Sequence, residues 1–246
     1  MERWQGKVAV ITGASDGIGA AISKKLTNAG LHVVGLGRNE ERLEKLSAEL
    51  KNQLGKFFPF KADVTKEEDI LKAFQWTEAN FGPVHVLVNS AGVMENSNLT
   101  DGSTEIWKKI MDTNVISLCV TTREAVKSMR KHGVDGHIIH MNSVCGHKVV
   151  QCVELNVYQA SKWAVTALTE TLRLELNSIG SKIKISSISP GHVNTDMSMK
   201  GGLGFSTVEF LTITAEDVAD STLFVLGTPP HVQIHELIIK PVGEIP

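Results

Sequence analysis

KVAVITGASDGIG, residues 7–19, is the stretch that decides the fold of this chain. Val8 to Ile11 form an apolar, β-branched run, which is typical of a strand buried in a parallel sheet. Gly13, Gly17 and Gly19 follow where this strand turns into a helix. Glycines at such a turn let the backbone approach a pyrophosphate, whose charge a helix N-terminus favours. The spacing differs from the common G-x-G-x-x-G, but its strand–helix context predicts a dinucleotide-binding turn rather than a turn with spare glycines.

The alternation of strand and helix continues along the chain. Further strands are predicted at 31–36, 56–61, 84–88, 137–141, 183–188 and 234–239. Helices are predicted at 20–29, 39–54, 65–80, 155–178 and 215–226, and one or two long helices at 105–131. Thr65 and Glu68 are predicted to form a capping box at the start of one helix. This order predicts an α/β fold: a single domain over 1–246 with a Rossmann-type, doubly wound parallel sheet of about seven strands flanked by helices. The weakly periodic segment 191–214 is predicted to be a substrate-binding lid.

Composition narrows the possible functions. The net charge of −2 and the absence of a long basic run argue against a nucleic-acid partner. We find no apolar signal segment and no run of about 18 apolar residues, so we expect no membrane insertion. Cys119, Cys145 and Cys152 have neither metal spacing nor an even disulfide set, which favours reduced thiols in a cytoplasmic protein.

The second predicted strand indicates which dinucleotide is bound. An acidic residue at its tip would bind the free adenosine 2′-hydroxyl of NAD, but the strand ends Gly37-Arg38-Asn39. Arg38 stands where it pairs with a 2′-phosphate, so NADP is favoured and NAD is the less favoured cofactor. Asp16 is a counter-signal, because its carboxylate in the glycine turn repels that phosphate. An exposed residue beside a helix cap is the alternative role for Arg38.

Later strand ends carry further polar residues. Asp63 and Val64 end the third strand, and Asn89, Ala91 and Gly92 follow the fourth. Ligands of such sheets lie off the carboxyl ends of the strands. We therefore expect Asp63 to meet the adenine and residues 89–92 the ribose region, although each could be a polar strand terminator.

Tyr158, the only tyrosine among the 246 residues, lies four positions before Lys162 in a helical pattern. The two side chains are therefore expected on one helix face, about one turn apart. A phenol beside an ammonium group is a plausible acid–base unit, because a nearby cation lowers the phenol pKa. Moving that pKa to neutrality would require a second positive charge, such as an oxidised nicotinamide ring. A half-buried ring beside a surface lysine is the alternative.

Several motifs occur together in a known order. TGASDGIG (12–19), NSAG (89–92), Asn114, Ser143, Tyr158-x-x-x-Lys162 and Pro190-Gly191-x-x-x-Thr195 cover nearly the whole chain. The chain thereby resembles the short-chain dehydrogenase/reductase family. Three further stretches are similar to one group of this family, the NADP-dependent dehydrogenase/reductase member 11 and insect farnesol dehydrogenase group. They are the opening MERWQGKVAVITGAS, VVGLGR (33–38) and DGHIIHMNS (135–143). Ser90 departs from the family, which usually has a second Asn there.

The resemblance implies roles for matching residues. Tyr158 would be the proton donor and acceptor, and Ser143 would hydrogen-bond the reacting oxygen. Lys162 would hold the nicotinamide ribose and lower the phenol pKa, while Asn114 would support a water chain to Lys162. Val193 and Thr195 would hold the carboxamide. The predicted cofactor-binding set is Gly13, Ser15, Asp16, Gly17, Ile18, Gly19, Arg38, Asn39, Asp63, Val64, Asn89, Ala91, Gly92, Tyr158, Lys162, Pro190, Gly191, Val193 and Thr195.

Ser143 follows the fifth strand, so its hydroxyl and the Tyr158 phenol are expected to converge on one oxygen and exchange a proton with it. The predicted reaction interconverts an alcohol and its aldehyde or ketone. Ser143 lacks a G-x-S-x-G turn, which argues against a hydrolase. His137 and His140 are three apart in a strand and should point to opposite faces, so no metal site is predicted.

Apolar residues before Tyr158 and within the lid suit a lipophilic substrate. The predicted substrate pocket consists of Val144, Cys145, Val150, Val153, Met197, Leu203 and Phe205. The resemblance implies an isoprenoid alcohol such as farnesol, or a steroid, and leaves the choice open. A catalytically silent NADP-binding protein that senses redox state or acts as a scaffold is the alternative function. Long helices with apolar residues on more than one side, together with the resemblance, predict a homodimer or homotetramer.

Overall fold

A seven-stranded parallel sheet forms the centre of the molecule. The structure is a computed structural model that describes residues 1–151, 155–197 and 212–243. The strands lie in the order β3-β2-β1-β4-β5-β6-β7. Their bounds are β1 Val8–Thr12, β2 His32–Gly37, β3 Lys56–Lys61, β4 Val84–Asn89, β5 His137–Met141, β6 Lys184–Pro190 and β7 Glu236–Ile239. The predicted α/β fold with its doubly wound parallel sheet is confirmed.

Helices cover both faces of this sheet. They are α1 Gly17–Asn28, α2 Glu40–Glu49, α3 Glu67–Phe81, α4 Thr104–Met111, α5 Ser117–Lys131, α6 Asn156–Ser178 and α7 Ala215–Gly227. One core layer contains apolar residues of α1, α2 and α7, such as Ile22, Leu43 and Val218. The other contains residues of α3, α5 and α6, such as Ile70 and Leu176. Because both faces are covered, central strands such as β1 are buried along their whole length and show no clear alternation.

The strand order reverses beside β1. β1 pairs with β2 on one side and with β4 on the other, with Thr12 opposite both Leu36 and Asn89. The connections that leave β1 and β4 run to opposite sides, so a crevice opens at the carboxyl ends of these strands, where sheets of this type bind ligands. The glycine turn and residues 89–92 therefore meet at one place.

The start of α3 differs from the prediction. The helix begins at Glu67, and its N-cap residue Lys66 makes no side-chain cap bond, so the predicted capping box of Thr65 and Glu68 is wrong. The hydroxyl and backbone amide of Thr65 donate instead to the Asp63 carboxylate, at 2.8 and 3.1 Å. A local turn thus outcompetes the cap, as Asp and Thr side chains often allow.

One other helix ends earlier than predicted, and a second predicted segment divides into two helices. α2 ends at Glu49, and Leu54, which continued its apolar pattern, is 71% exposed in the turn that follows. The segment 105–131, predicted to contain one or two long helices, contains two, α4 and α5, joined by a π-helical turn at Asp112–Ile116. This turn contains Asn114 and orients it differently from a regular helix.

Part of the predicted substrate region lies outside the described residues: Val153, Leu203, Phe205 and most of the predicted lid. Among the helices of the described ranges, none is both long enough and apolar enough to cross a membrane.

Candidate functional site

A cleft of about 700 Å³ lies at the carboxyl edge of the sheet, next to the reversal in strand order. Its walls come from the segments that follow the first six strands, from α4 and the turn after it, and from α6. Most of the predicted cofactor residues line it: Gly13, Ser15, Asp16, Gly17, Ile18, Gly19, Arg38, Asn39, Asp63, Val64, Ala91, Gly92, Tyr158, Lys162 and Thr195. Met197, from the predicted substrate pocket, lines the cleft as well.

The glycine turn packs so closely that it excludes side chains. Gly13 has φ +69°, and a Cβ built on it would lie 2.9 Å from the backbone of Ala91. A Cβ on Gly19 would lie 2.2 Å from the carbonyl oxygen of Gly13. The hydroxyl of Thr12 accepts hydrogen bonds from the amides of Ser90 and Ala91, at 3.1 and 3.0 Å. The turn and the end of β4 are therefore held as one rigid wall.

The side of the cleft beyond β2 and β3 is charged. Arg38 follows β2 directly and is exposed. Partial burial opposes ionisation of Asp63, but the two hydrogen bonds from Thr65 and the charge of Arg38 hold its carboxyl pKa below the usual value. Asn39 caps α2 by accepting a hydrogen bond from the Arg42 amide at 3.0 Å.

The Asp16 carboxylate in the glycine turn has two partners. It caps α1 by accepting a hydrogen bond from the Gly17 amide at 2.8 Å, and it forms an ion pair with Arg42 of α2. The charge of Asp16, followed by a hydrogen bond to Asp196, raises the pKa of Arg42. Arg42 therefore neutralises the Asp16 carboxylate, which we predicted from the sequence to repel a 2′-phosphate.

Tyr158 and Lys162 lie in the first turns of α6 and both line the cleft. Tyr158 is half-buried, while Lys162 is buried, with its Nζ 5.7 Å from the centre of the Tyr158 ring. The ammonium group donates to the carbonyl oxygen of Met141 at 3.0 Å, which ties α6 to the end of β5. This spacing agrees with the one-turn separation predicted from the sequence.

Burial dominates the acidity of both groups. It raises the pKa of Tyr158 well above its usual value, with the Cys145 thiol acting in the same direction and a hydrogen bond with Ser143 opposing it. Burial lowers the pKa of Lys162 to about 8, so the side chain stays mostly protonated at neutral pH. The expected lowering of the phenol pKa is thus absent in this structure, because burial disfavours the charged phenolate.

Ser143 lies in a turn that is fastened to α6. Its hydroxyl accepts a hydrogen bond from the Cys145 amide at 3.1 Å and caps the short 3₁₀ turn Val144–Gly146. Thr166 of α6 donates to the Gly146 carbonyl at 2.9 Å. A Cβ on Gly146 would lie 2.7 Å from the Lys162 carbonyl oxygen, so the contact admits only glycine. Ser143 is thereby held against the helix that carries Tyr158.

Asn114 connects the end of β4 with α6. Its Oδ1 accepts from the Val93 amide at 2.8 Å, and its Nδ2 donates to the Val93 carbonyl and to the Ser161 hydroxyl, both at 3.0 Å. Ser161 in turn donates to the Tyr158 carbonyl at 2.6 Å. Asn114 thus fixes the helix turn between Tyr158 and Lys162. The water chain that the resemblance implies stays a prediction.

Other predicted residues do not line the cleft. The amide of Asn89 faces α5, where Nδ2 donates to Thr122 at 2.9 Å and Oδ1 accepts from Thr121 at 2.6 Å. Val150 exchanges backbone hydrogen bonds with the Gln159 side chain, at 2.7 and 3.3 Å. The remaining predicted residues that lie outside the cleft lining are Asn114, Ser143, Val144, Cys145, Pro190, Gly191 and Val193.

The two buried strand histidines point to opposite faces of the sheet, as predicted. His137 lies 2.9 Å from the Ser186 hydroxyl, whereas His140 contacts Thr122 of α5 and Thr169 of α6. Burial lowers the pKa of each to about 3, so both are neutral. No group of three metal-ligating side chains occurs in the described ranges.

The sequence missed several residues of the cleft. Arg42 and Asp196 carry charges at its edge, and Glu95 forms an ion pair with Lys109 inside its lining. Met141 supplies the carbonyl that holds Lys162. Arg42 lies four positions after Arg38, a helical spacing that could have revealed it. The other four depend on contacts between different segments of the chain.

The cleft suits a phosphorylated dinucleotide. Its glycine wall admits only backbone at Gly13 and Gly19, and the N-terminus of α1 points into it with a partial positive charge. Arg38 supplies a full positive charge beside the end of β2, and Lys162 lies at the opposite end of the lining. The residues present therefore fit a pyrophosphate, an adenosine phosphate and a ribose.

Comparisons with known proteins agree with this geometry. The family model described as short chain dehydrogenase matches residues 7–203. A farnesol dehydrogenase of Aedes aegypti is 51% identical over 99% of each chain. The dehydrogenase/reductase SDR family member 11 of Bos taurus is 42% identical over the full length of both chains.

Solved structures share the fold. An alcohol dehydrogenase from the archaeon Thermococcus sibiricus, complexed with 5-hydroxy-NADP, superposes with a TM-score of 0.87 at 27% identity and covers 98% of each chain. Further structural relatives hold NADP, NADPH or NADP+, and one holds NAD.

Proposed function

Because the chain belongs to the short-chain dehydrogenase/reductase family of oxidoreductases, we propose that it interconverts a lipophilic alcohol and its aldehyde or ketone with NADP as the cofactor. One observation carries the proposal: Tyr158 and Lys162 line the same cleft as the glycine turn, with Ser143 hydrogen-bonded to the phenol. A catalytically silent NADP-binding protein, which senses redox state or acts as a scaffold, does not require this set of residues.

The chain's own residues account for the proton chemistry. The bound nicotinamide would supply or accept the hydride. Tyr158 donates a proton to the carbonyl oxygen during reduction and removes it from the alcohol during oxidation. The Ser143 hydroxyl donates a hydrogen bond to the same oxygen and stabilises its developing negative charge. Lys162, held by the Met141 carbonyl, keeps a positive charge beside the phenol and holds the ribose.

Asn114 acts through its neighbours. Its amide fixes Val93 and Ser161 on either side of the cleft, and this keeps Tyr158 and Lys162 in register with the end of β4. We propose that the same side chain supports the water chain to Lys162. Val193 and Thr195 hold the carboxamide in the proposed complex, and Asn89 acts indirectly by anchoring the end of β4 to α5.

The preference for NADP rests on Arg38. Replacing Arg38 with Asp should weaken NADPH binding and improve NADH binding, because the carboxylate repels the 2′-phosphate and accepts hydrogen bonds from a free 2′-hydroxyl. The ratio of the NADPH and NADH dissociation constants, measured by nucleotide fluorescence, gives the outcome. An unchanged ratio would refute the assigned role of Arg38, and Lys61→Asp, at the end of the neighbouring strand, serves as the control for added negative charge.

An apolar substrate is favoured by the cleft and by the relatives. Met94 and Met197 line the cleft, and methionine adapts to irregular apolar ligands. The Aedes aegypti relative bears the name farnesol dehydrogenase, so an isoprenoid alcohol is the first candidate and a hydroxysteroid or ketosteroid the second. Val144, Cys145 and Val150 are proposed to join the substrate wall.

Turnover tests the proposal directly. The purified protein is incubated with NADP+ or NAD+ and a panel of isoprenoid alcohols and hydroxysteroids, or with NADPH and the matching carbonyl compounds, while the absorbance of the reduced nicotinamide is followed. We expect turnover with at least one lipophilic substrate and a preference for NADP. Binding of NADPH without turnover of any substrate would favour the silent alternative.

Assembly and location complete the proposal. Ile116 beside α5 and Trp163 and Leu174 on α6 are exposed apolar residues, which supports a homodimer or homotetramer formed through these helices. In the part of the chain that the structure describes, neither Cys119 nor Cys145 forms a disulfide, which supports the proposed cytoplasmic location.

A further inference from the structure

Three consecutive residues after β6 lie across the cleft. The Thr195 methyl group is 3.4 Å from the position that a Cβ on Gly17 would take. The Met197 methyl group is 3.8 Å from the corresponding position on Gly92. Residues 195–197, here called the crossing segment, therefore extend from the glycine turn to the end of β4, and all three line the cleft.

Arg42 holds the middle of the crossing segment. Its Nη2 lies 3.3 Å from Oδ2 of Asp196, while its Nη1 forms an ion pair with Asp16. Arg42 belongs to α2, and Asp16 is fixed in turn by the hydrogen bond from the Gly17 amide. One guanidinium group thus joins two carboxylates that come from separate segments of the chain, the glycine turn and the crossing segment. Its planar fork of donors suits such a shared contact.

We propose that Arg42 is a positioning residue that clasps the crossing segment over the bound dinucleotide and slows its release, acting through Asp16 and Asp196 and not through the adenosine 2′-phosphate. The proposal rests on the dinucleotide binding in the proposed function and adds a residue that controls how long the cofactor stays. We call Asp16, Arg42 and Asp196 the Arg42 clasp.

The clasp also resolves an electrostatic difficulty. Asp16 and Asp196 place two negative charges at the edge of a cleft suited to an anion. Without Arg42 they would repel each other and the phosphates of the cofactor. With Arg42 between them, the same carboxylates become attachment points for the crossing segment. All three side chains are substantially exposed, at 44% for Arg42, 45% for Asp16 and 38% for Asp196, so each ion pair is individually weak.

A direct bond from Arg42 to the 2′-phosphate is the competing explanation, since Arg38 lines the same side of the cleft. The two explanations predict opposite results for Asp196→Asn. Removal of a carboxylate beside an anionic ligand should tighten binding on electrostatic grounds. If Asp196 is an attachment point of the clasp, the same change should speed release. The sign of the effect therefore separates the two explanations.

The experiment measures release rates of NADPH and NADH by stopped-flow fluorescence for the wild type, Arg42→Gln, Asp196→Asn and the double variant. Loss of two exposed ion pairs should speed release by about threefold to tenfold. We expect the same factor for both dinucleotides. The double variant should be no faster than Arg42→Gln, because both changes break one shared contact. Arg42→Lys, which keeps one ion pair at a time, should be intermediate.

Two controls make the result specific. Arg173→Gln removes another ion-paired arginine, which is 21% exposed on α6 and lies outside the cleft lining, and it should leave both release rates unchanged. The thermal midpoints of the clasp variants should stay close to the wild type, because the residues are exposed. Arg38→Asp should change the release rates of NADPH and NADH by different factors. Arg42→Gln, in contrast, should change both rates by the same factor.

Two outcomes would overturn the clasp while leaving the proposed function intact. The first is an Arg42→Gln variant that releases NADPH faster but NADH at the wild-type rate, which would make Arg42 a phosphate ligand. The second is an Asp196→Asn variant with unchanged or slower release. Failure of the wild type to bind either dinucleotide would overturn the proposed function itself, together with this inference.

Discussion

Replacing Tyr158 with Phe is expected to lower turnover by about 10²- to 10⁴-fold, the usual contribution of a general acid–base group. The change removes only the phenol oxygen. Lys162 keeps its bond to the Met141 carbonyl, and Ser143 keeps its cap of the 3₁₀ turn, so the walls of the cleft stay in place. Affinity for NADPH should therefore remain close to that of the wild type. Steady-state kinetics with the best substrate of the panel, together with NADPH titration, measure both quantities.

Ser143→Ala provides the matched comparison for this prediction. It removes a hydrogen-bond donor to the reacting oxygen but leaves the proton donor, so its loss in turnover should be smaller than that of Tyr158→Phe. Wild-type turnover in the Phe variant would exclude Tyr158 as the acid–base group. A complete loss of NADPH binding would instead assign the tyrosine to cofactor binding alone.

Gly19→Ala should have the second large effect, on stability and on cofactor binding together. Its Cβ would lie 2.2 Å from the Gly13 carbonyl oxygen and 2.7 Å from the carbonyl carbon, and both are backbone atoms that cannot rotate away. The turn must therefore move, at a cost of about 1–3 kcal/mol in the free energy of unfolding. Because this turn forms the phosphate wall, NADPH affinity should fall at least about tenfold, which corresponds to about 1.4 kcal/mol.

Gly227→Ala, at the end of α7, is the control. A Cβ there would meet nothing within 4 Å. The free energy of unfolding of the variant should therefore lie within about 0.5 kcal/mol of the wild-type value, and its NADPH affinity should be unchanged. Denaturant unfolding and NADPH titration of both variants make the comparison. Normal stability and affinity in Gly19→Ala would mean that the turn is looser than the structure indicates.

Much of the fold could be read from local patterns. The apolar runs around Val10, Ile138 and Ile185 belong to strands buried on both faces, and short runs of this kind with glycine at their ends are typical of parallel sheets. The glycine turn could be predicted from its position between a strand and a helix. The limits of α2 and α3 were less predictable, because Leu54 continues an apolar period beyond the helix and Thr65 has a closer partner in Asp63.

The site was predictable where one segment carries several of its residues. Tyr158 and Lys162 share one helix turn, so their spacing alone brought them together. Arg42 and Asp196 are 154 positions apart, and nothing in either local sequence pairs them. The Lys162–Met141 contact likewise joins a helix to a strand. Such pairs depend on how elements pack, and a single sequence does not encode that locally.

The direction in which the Tyr158 pKa shifts also depends on packing that a single sequence does not encode. From the sequence, a lysine one turn away favours the phenolate. The structure adds the cost of removing the phenolate from water, which raises the pKa. A second positive charge is needed to reverse this direction, as the sequence argument anticipated for oxidised nicotinamide.

The most direct test of the acid–base role is a spectroscopic titration of Tyr158. Because it is the only tyrosine, the near-ultraviolet absorbance of tyrosinate reports on this one group in the intact protein. Without cofactor, burial should keep the phenol protonated into the alkaline range. With NADP+ bound, the added positive charge should move its ionisation to clearly lower pH, and Tyr158→Phe should show no such signal. Superimposable titration curves with and without NADP+ would contradict the account.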